Sequence, residues 1–356
     1  MQLMRLAGGL AARSHRVEVL AYNGVSPLDR ELEDAGVRVH AVETASQIAK
    51  LRAARTWLSA YRPDVVHGIM KRASSVAALA SLGVPGVRVV ATEMSTATFV
   101  PNSRALRLSL LVFLLADRVV TQTESNRRSL IALAPWLREK AVVVRNGVDT
   151  ERFSPAVSQP RADAPFTFCV VGTVYGVKNP EAVVRAVKEL LDRGARDFRV
   201  DWYGRLGLAA DLEHRPDLNP AVHLAKHLSV ENHIRFHGQT ADVEQALQRS
   251  DALLHASVQE GFPNAVVEGM ACGLPVVVSR VSDLPLVVEE AKNGFVFDER
   301  DVGAIADAME QMMATNDRDR HHMGMRSREL AVRWFGLERF VDDFEQLYRH
   351  ICRGRT

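Results

Sequence analysis

The chain is short of everything that marks a disulfide scaffold, a zinc module or a nucleic-acid binder. It holds three cysteines in 356 residues, Cys169, Cys272 and Cys352. Their odd number and wide spacing exclude a disulfide framework and a C-x2-C metal site. A reducing cytoplasm is the expected compartment. Lys and Arg number 45 against 43 Asp and Glu. No basic run interleaves with aromatics, so nucleic acid is not an expected partner. Long apolar runs are missing too. Leu106 to Ala116, the most apolar stretch, is interrupted by Arg107 and Ser109, and at about 11 residues it falls short of the roughly 18 that a span needs. It reads as a core helix. Arg104 and Arg107 leave peripheral association with an anionic membrane face as the lesser reading. Residues 1–14 read as an amphipathic helix, not as a basic head with an apolar run. No repeat of period 20–50 and no low-complexity tract appears.

What is present is an alternation. Short β-branched runs at 16–20, 37–42, 64–67, 88–91, 118–121 and 141–144 are strand candidates, with helical stretches between them at 46–61 and 71–81. A second series follows at 166–171, 198–203, 233–237, 252–255, 275–278 and 294–297. Strands separated by helices predict βαβ units and parallel sheets. The length favours two domains. The turn-forming stretch from Arg145 through Pro165 is the expected linker. The expected divisions are 1–150, 151–330 and a terminal helix in 331–356, where Phe340, Phe344, Leu347 and Tyr348 keep helical spacing.

The most informative segment is Ser257-Val-Gln-Glu260-Gly-Phe-Pro-Asn264-Ala-Val-Val-Glu268-Gly-Met-Ala-Cys-Gly273-Leu-Pro275. Pro263 suits the first position of a helix, and Gly273 and Pro275 are stop signals. A short helix of about two to three turns follows. Its amino end opens onto Glu260, Gly261 and Phe262, where free N–H groups and the helix dipole favour an anion. Glu268 sits more than one turn inside. A second loop, Val171-Gly172-Thr173-Val174-Tyr175-Gly176-Val177-Lys178-Asn179-Pro180, follows the first strand of the second series. Its glycines allow close backbone approach, and Lys178 can place a charge on a phosphate.

The string from Glu260 to Pro275 resembles the retaining glycosyltransferases of family 4, whose donor site carries E-x7-E followed by G-x-P-V-V. Asn146, Gly147, Val148, Asp149 and Phe153 are similar to that family's domain-junction segment, and the match extends over nearly the whole chain. The resemblance implies a GT-B fold: two Rossmann-like domains facing a cleft, with the carboxy-terminal helix packing back on the first. It implies transfer of a hexose-type sugar from a UDP- or GDP-linked donor to a hydroxyl of a glycan or lipid-linked acceptor. No cofactor or metal is expected. Glu268 would bind the donor ribose. Glu260 and the turn Gly261, Phe262, Pro263 and Asn264 would hold the sugar and diphosphate, and Lys178, beside Gly172 and Thr173, would neutralise the leaving group. Glu93, in Ala91-Thr-Glu-Met-Ser95, and His67, after Pro63-Asp-Val-Val, are candidate sugar or acceptor contacts. Helix capping by Thr92 or Ser95, and by Ser125 further on, is the plainer alternative. Cell-surface polysaccharide or glycolipid synthesis in the cytoplasm, on or near the inner membrane face, is the expected setting.

Three departures keep other readings open. The family loop carries Arg where this chain has Thr173, and Glu where it has Leu286. Asp317-Arg-Asp319 mimics a metal motif but lies in a polar stretch and reads as solvated. The family's first strand and glycine-rich loop have no counterpart ahead of residues 1–19. The expectation is a chain that is poorly stable alone and short of roughly 15–25 upstream residues. An epimerase on the same fold and a non-catalytic nucleotide-sugar binder are the alternatives.

Overall fold

The computed structural model describes residues 2–22, 27–93, 104–156, 164–207 and 218–353. Ser95, the Arg104 side chain and linker residues 157–163 lie outside the described set. Up to Gly147 the chain runs α1 (Gln2–Ala12), β1 (Glu18–Ala21), α2 (Pro27–Asp34), β2 (Arg38–Ala41), α3 (Gln47–Tyr61), β3 (Val65–Gly68), α4 (Lys71–Ala80) and β4 (Arg88–Thr92). It continues with α5 (Arg104–Ser109), a 3-10 segment (Leu110–Leu115), β5 (Arg118–Thr121), α6 (Glu124–Leu133) and β6 (Ala141–Val143). Next come β7 (Phe166–Val171), α7 (Pro180–Asp192), β8 (Phe198–Tyr203), α8 (Pro220–His227), β9 (Ile234–Gly238), α9 (Val243–Gln248) and β10 (Ala252–His255). After these stand α10 (Asn264–Ala271), β11 (Val276–Ser279), α11 (Leu284–Ala291), β12 (Gly294–Phe297), α12 (Val302–Ala314), α13 (Asp317–Phe335) and α14 (Leu337–Arg353).

These elements form two compact units, Met1–Gly147 with Leu337–Thr356, and Val148–Gly336. Residues 331–336 stay with the second unit. Leu330, Ala331 and Phe335 are buried in its core, and Val148 N–H donates to Phe335 O at 2.7 Å. The terminal helix proper, α14, belongs to the first unit. Its Phe340, Val341, Phe344 and Ile351 are buried at the i, i+3, i+4 spacing of one helix face. It lies so close to α1 that a Cβ on Gly9 would stand 2.4 Å from Val341. Arg13 bridges to Asp342 at 2.5 Å and Glu345 at 2.8 Å on its rim.

In the second unit six parallel strands are ordered β9-β8-β7-β10-β11-β12. The order reverses between β7 and β10, which makes that edge the topological switch point of a doubly wound sheet. Phe168 and Val170 point into one core with Val183 and Val187 of α7. Cys169 points into the other, with Val267 and Met270 of α10. Burial on both faces is why the central strands β7, β10 and β11 are mostly apolar.

The first unit holds a parallel sheet β3-β4-β5-β6 and a separate parallel pair β1-β2. The apolar stretch at 106–116 is not one core helix. Leu106, Leu110 and Phe113 are buried while Leu108, Leu111, Leu114 and Leu115 are exposed. The 3-10 geometry stacks every third side chain and turns the rest outward. The cap of α6 is Thr123, which accepts from Asn126 N–H, and not Ser125. Among the described residues no helix is long and apolar enough to cross a membrane.

Candidate functional site

The loops that leave β7 and β10 meet at the switch point of the second unit. Gly172 N–H donates to Tyr203 O at 2.9 Å, and Trp202 Nε1 donates to Gly172 O at 2.7 Å. These bonds press the β7 loop against the end of β8. A Cβ on Gly204 would lie 2.1 Å from Gly172 O, so only glycine fits there. The Lys178 stem passes over Gly172, its Cε 3.3 Å from where a Cβ would stand. A 3-10 turn, Gly176–Lys178, and Asn179 in the left-handed region (φ 58°) then feed α7, whose first residue is Pro180. Val258 N–H donates to Val177 O at 2.9 Å and ties the two loops together.

This tie brings Lys178 Nζ to 2.5 Å from Glu260 Oε1. His255, which closes β10, sets its Nε2 3.3 Å from the same oxygen, without a hydrogen bond between them. Burial holds the His255 imidazole below its ordinary pKa, against the pull of Glu260. Burial would raise the Glu260 carboxyl, but His255 and Lys178 outweigh it and bring it down to about 2. The group at neutral pH is therefore a carboxylate paired with an ammonium beside a neutral imidazole. Both neighbours engage Oε1.

α10 starts one residue later than the sequence suggested. Pro263 is the extended residue before the helix, with φ −79° and ψ 112°, and Asn264 is the first helical residue. Val266 N–H already bonds Pro263 O at 3.2 Å, so the proline carbonyl opens the helix. Phe262 is buried, stacked on Phe335 at 5.2 Å between centroids. Ser282 Oγ donates to Gly261 O at 2.5 Å and fixes the turn. Glu268 is buried on the second turn of α10. Thr173 is half-buried in the β7 loop, and Leu286 is half exposed on α11.

Glu93 and His67 belong to the first unit. Glu93 is buried just past β4, its N–H donating to Val120 O at 2.9 Å. His67 has both ring nitrogens engaged, Nδ1 with Tyr348 OH at 2.7 Å and Nε2 with Thr92 Oγ1 at 2.6 Å. Burial pushes its pKa down to about 3. It joins β3 to α14 and β4. Asp317 and Asp319 occupy the first turn of α13, where Asn316 Oδ1 accepts from Asp319 N–H at 2.9 Å. Acids are favoured there by the helix dipole. Sequence reasoning passed over two polar residues here, His255 beside Glu260 and Ser257, two residues further along in the loop that follows. Both are buried, and His255 Nε2 and Ser257 Oγ lack a hydrogen-bond partner. A polar residue ending an otherwise apolar strand was the available signal.

Two α/β units, each built on parallel strands with helices between them, belong to the GT-B class, which the solved structures share. A glycosyltransferase from Rickettsia africae superposes with a TM-score of 0.84 at 17% identity, covering 98% of this chain and 94% of its own. Anabaena Alr3699/HepE, solved in complex with UDP, gives 0.82 at 17% identity over 98% and 95%. Residues 1–152 match the model of glycosyltransferase family 4 and residues 155–330 that of glycosyl transferases group 1, and the chain belongs to this family. D-inositol 3-phosphate glycosyltransferase of Salinispora tropica is 30% identical over 259 residues, 68% of this chain and 52% of the relative. The chain spans about half the length of the curated relatives it matches, such as that of Corynebacterium diphtheriae at 29% identity, 61% of this chain and 52% of the relative.

Proposed function

We propose that the protein transfers a hexose-type sugar, with retention, from a nucleoside-diphosphate donor to a hydroxyl acceptor in glycan or glycolipid synthesis. The observation that carries this reading is the Lys178–Glu260 pair at the switch point. The two groups neutralise each other until a ligand offers an anion to the lysine and hydroxyls to the carboxylate. A sugar diphosphate offers both. Lys178 and the backbone N–H groups at the start of α10 then stabilise charge developing on the leaving phosphate. Glu260 accepts from the sugar hydroxyls, with His255 beside it. Glu268 receives the ribose hydroxyls, and Gly172 and Thr173 line the diphosphate. With the lysine and the helix end as counter-charges, transfer needs no divalent cation. Glu93 is the first unit's candidate for an acceptor contact. The UDP named with Alr3699/HepE, and a UDP-Gal-dependent relative from Escherichia coli at 25% identity over 59% of this chain, favour a UDP-linked donor.

The test is a transfer and hydrolysis assay with UDP- and GDP-linked hexoses, read by proton NMR at the anomeric carbon. Transfer with retained configuration is expected. Epimerised donor without transfer would replace the reading with the epimerase. Binding without turnover would replace it with a non-catalytic binder, the reading that Thr173 in place of arginine favours.

A further inference from the structure

Beside the β7 loop of the second unit, the positive charge is incomplete for a diphosphate. Each phosphate of a diphosphate bridge brings a negative charge. Lys178, however, is already paired with Glu260 at 2.5 Å, and the pair as a whole is neutral. Thr173 brings a hydroxyl and no charge. A further cation has to come from a neighbouring element.

The neighbour is β8. It pairs with β7 in parallel from Phe166↔Phe198 to Val171↔Tyr203, and the ladder runs on past both strand ends. Gly172 N–H donates to Tyr203 O at 2.9 Å, and Val174 N–H donates to Arg205 O at 2.8 Å. In a parallel ladder these bonds set Gly172 level with Gly204 and Val174 level with Leu206. Thr173 is therefore level with Arg205. Val174 and Leu206 are both buried in the core that holds Phe168 and Trp202. Alternation turns Thr173 and Arg205 to the other face, the one where Val171 and Tyr203 pack with α10. Neighbouring strands lie about 4.8 Å apart, so the two side chains leave the sheet next to each other.

Arg205 is uncommitted in the fold. Arg199, on the same strand, donates to Asp201 at 2.9 Å, and the other oxygen of Asp201 faces His237 Nε2 at 2.8 Å. Arg205 is exposed. Among the described residues it makes no hydrogen bond or ion pair. Lys178 passes over Gly172, and Arg205 stands level with the next residue of the same loop.

We propose that Arg205 is a second diphosphate-binding cation of this site, engaging the ligand beside Thr173. The inference rests on the nucleoside-diphosphate reading given above. A guanidinium offers a planar fork of donors to two phosphate oxygens, which neither an ammonium nor a threonine hydroxyl can do. During transfer it shares with Lys178 the charge that gathers on the leaving diphosphate.

The experiment is titration calorimetry of the full chain with UDP and with GDP, together with the thermal midpoint. It compares the parent, Arg205→Met, Arg205→Met combined with Thr173→Arg, and Arg235→Met. Arg235 is the charge control, exposed on β9 and level with Asp201, further from the loop edge. Arg205→Met should weaken binding of the diphosphate by about ten-fold or more. Its midpoint should equal the parent's, since Arg205 holds nothing in the fold. Arg235→Met removes the same charge and should change the affinity by less than about two-fold, because solvent and salt screen it. Adding Thr173→Arg to Arg205→Met should restore most of the affinity, since it moves the guanidinium across one register pair. Equal affinities of parent and Arg205→Met overturn the inference and leave the diphosphate reading standing. Equal losses in Arg205→Met and Arg235→Met overturn it as well, because the effect is then a long-range field. A loss that Thr173→Arg does not recover places Arg205 away from the Thr173 level and also overturns it. A parent that binds neither UDP nor GDP overturns the reading of the site itself, and this inference with it.

Discussion

Replacing Lys178 with methionine keeps the stem across Gly172 and removes only the charge. Glu260 would then keep His255 and lose the ammonium 2.5 Å away. In the parent its pKa is brought from 4.5 to about 2, and each unit of such a shift is about 1.4 kcal/mol. Lys178 supplies part of that and His255 the rest. The side chains are 21% and 14% exposed, so little is lost to solvent screening. Lys178→Met should therefore destabilise the second unit by about 1–2 kcal/mol. That unit runs from 148 to 336, 189 residues, and a domain of this size shifts its midpoint by about 2–4 °C per kcal/mol. The expected drop is roughly 2–8 °C at pH 7. The sign is set by a depressed carboxyl: its stabilisation is complete above pH 4.5 and is lost as the pH falls toward 2. Calorimetry at pH 7 and at pH 3 should show a gap between parent and variant that closes at the acid end. An unchanged midpoint at pH 7, or a gap independent of pH, refutes the pairing. Weaker binding of a nucleoside diphosphate by the same variant is the functional counterpart.

Glu268→Ala should weaken nucleotide binding by about 10–150-fold, the loss of one charge-assisted bond of roughly 1.5–3 kcal/mol; equal affinities by titration calorimetry would put Glu268 outside the donor site. Thr173→Arg should tighten donor binding by adding a guanidinium fork to the diphosphate loop, and unchanged or weaker binding would show a loop built for another ligand. His67, buried neutral with a pKa near 3 against an ordinary 6.5, should make the parent lose stability as the pH falls from 6.5, by about 1.4 kcal/mol per unit at most. His67→Gln should flatten that slope in part, since His255 acts in the same direction; an identical slope in parent and variant contradicts the burial. Transfer should persist in chelator, and activity restored only by magnesium or manganese would overturn the counter-charge reading.

The local elements were written in the residues. All twelve strand candidates are strands, within a residue or two at their ends, because short β-branched runs favour extended backbone. The helix after the Glu260 turn and the helix at Pro180 were legible from their capping and stop residues. Pro263 shows the limit of local reading: first position and cap differ by one residue, and only the backbone geometry decides. What tertiary structure alone decided is adjacency. Lys178 and Glu260 are 82 positions apart and meet because the strand order places β10 beside β7, a neighbourhood that no spacing encodes. His67, a candidate contact at a strand end, has Tyr348 as a partner from 281 positions away, which no local pattern shows. Strand propensity is local and was readable, but a strand's neighbours exist only once the sheet has an order.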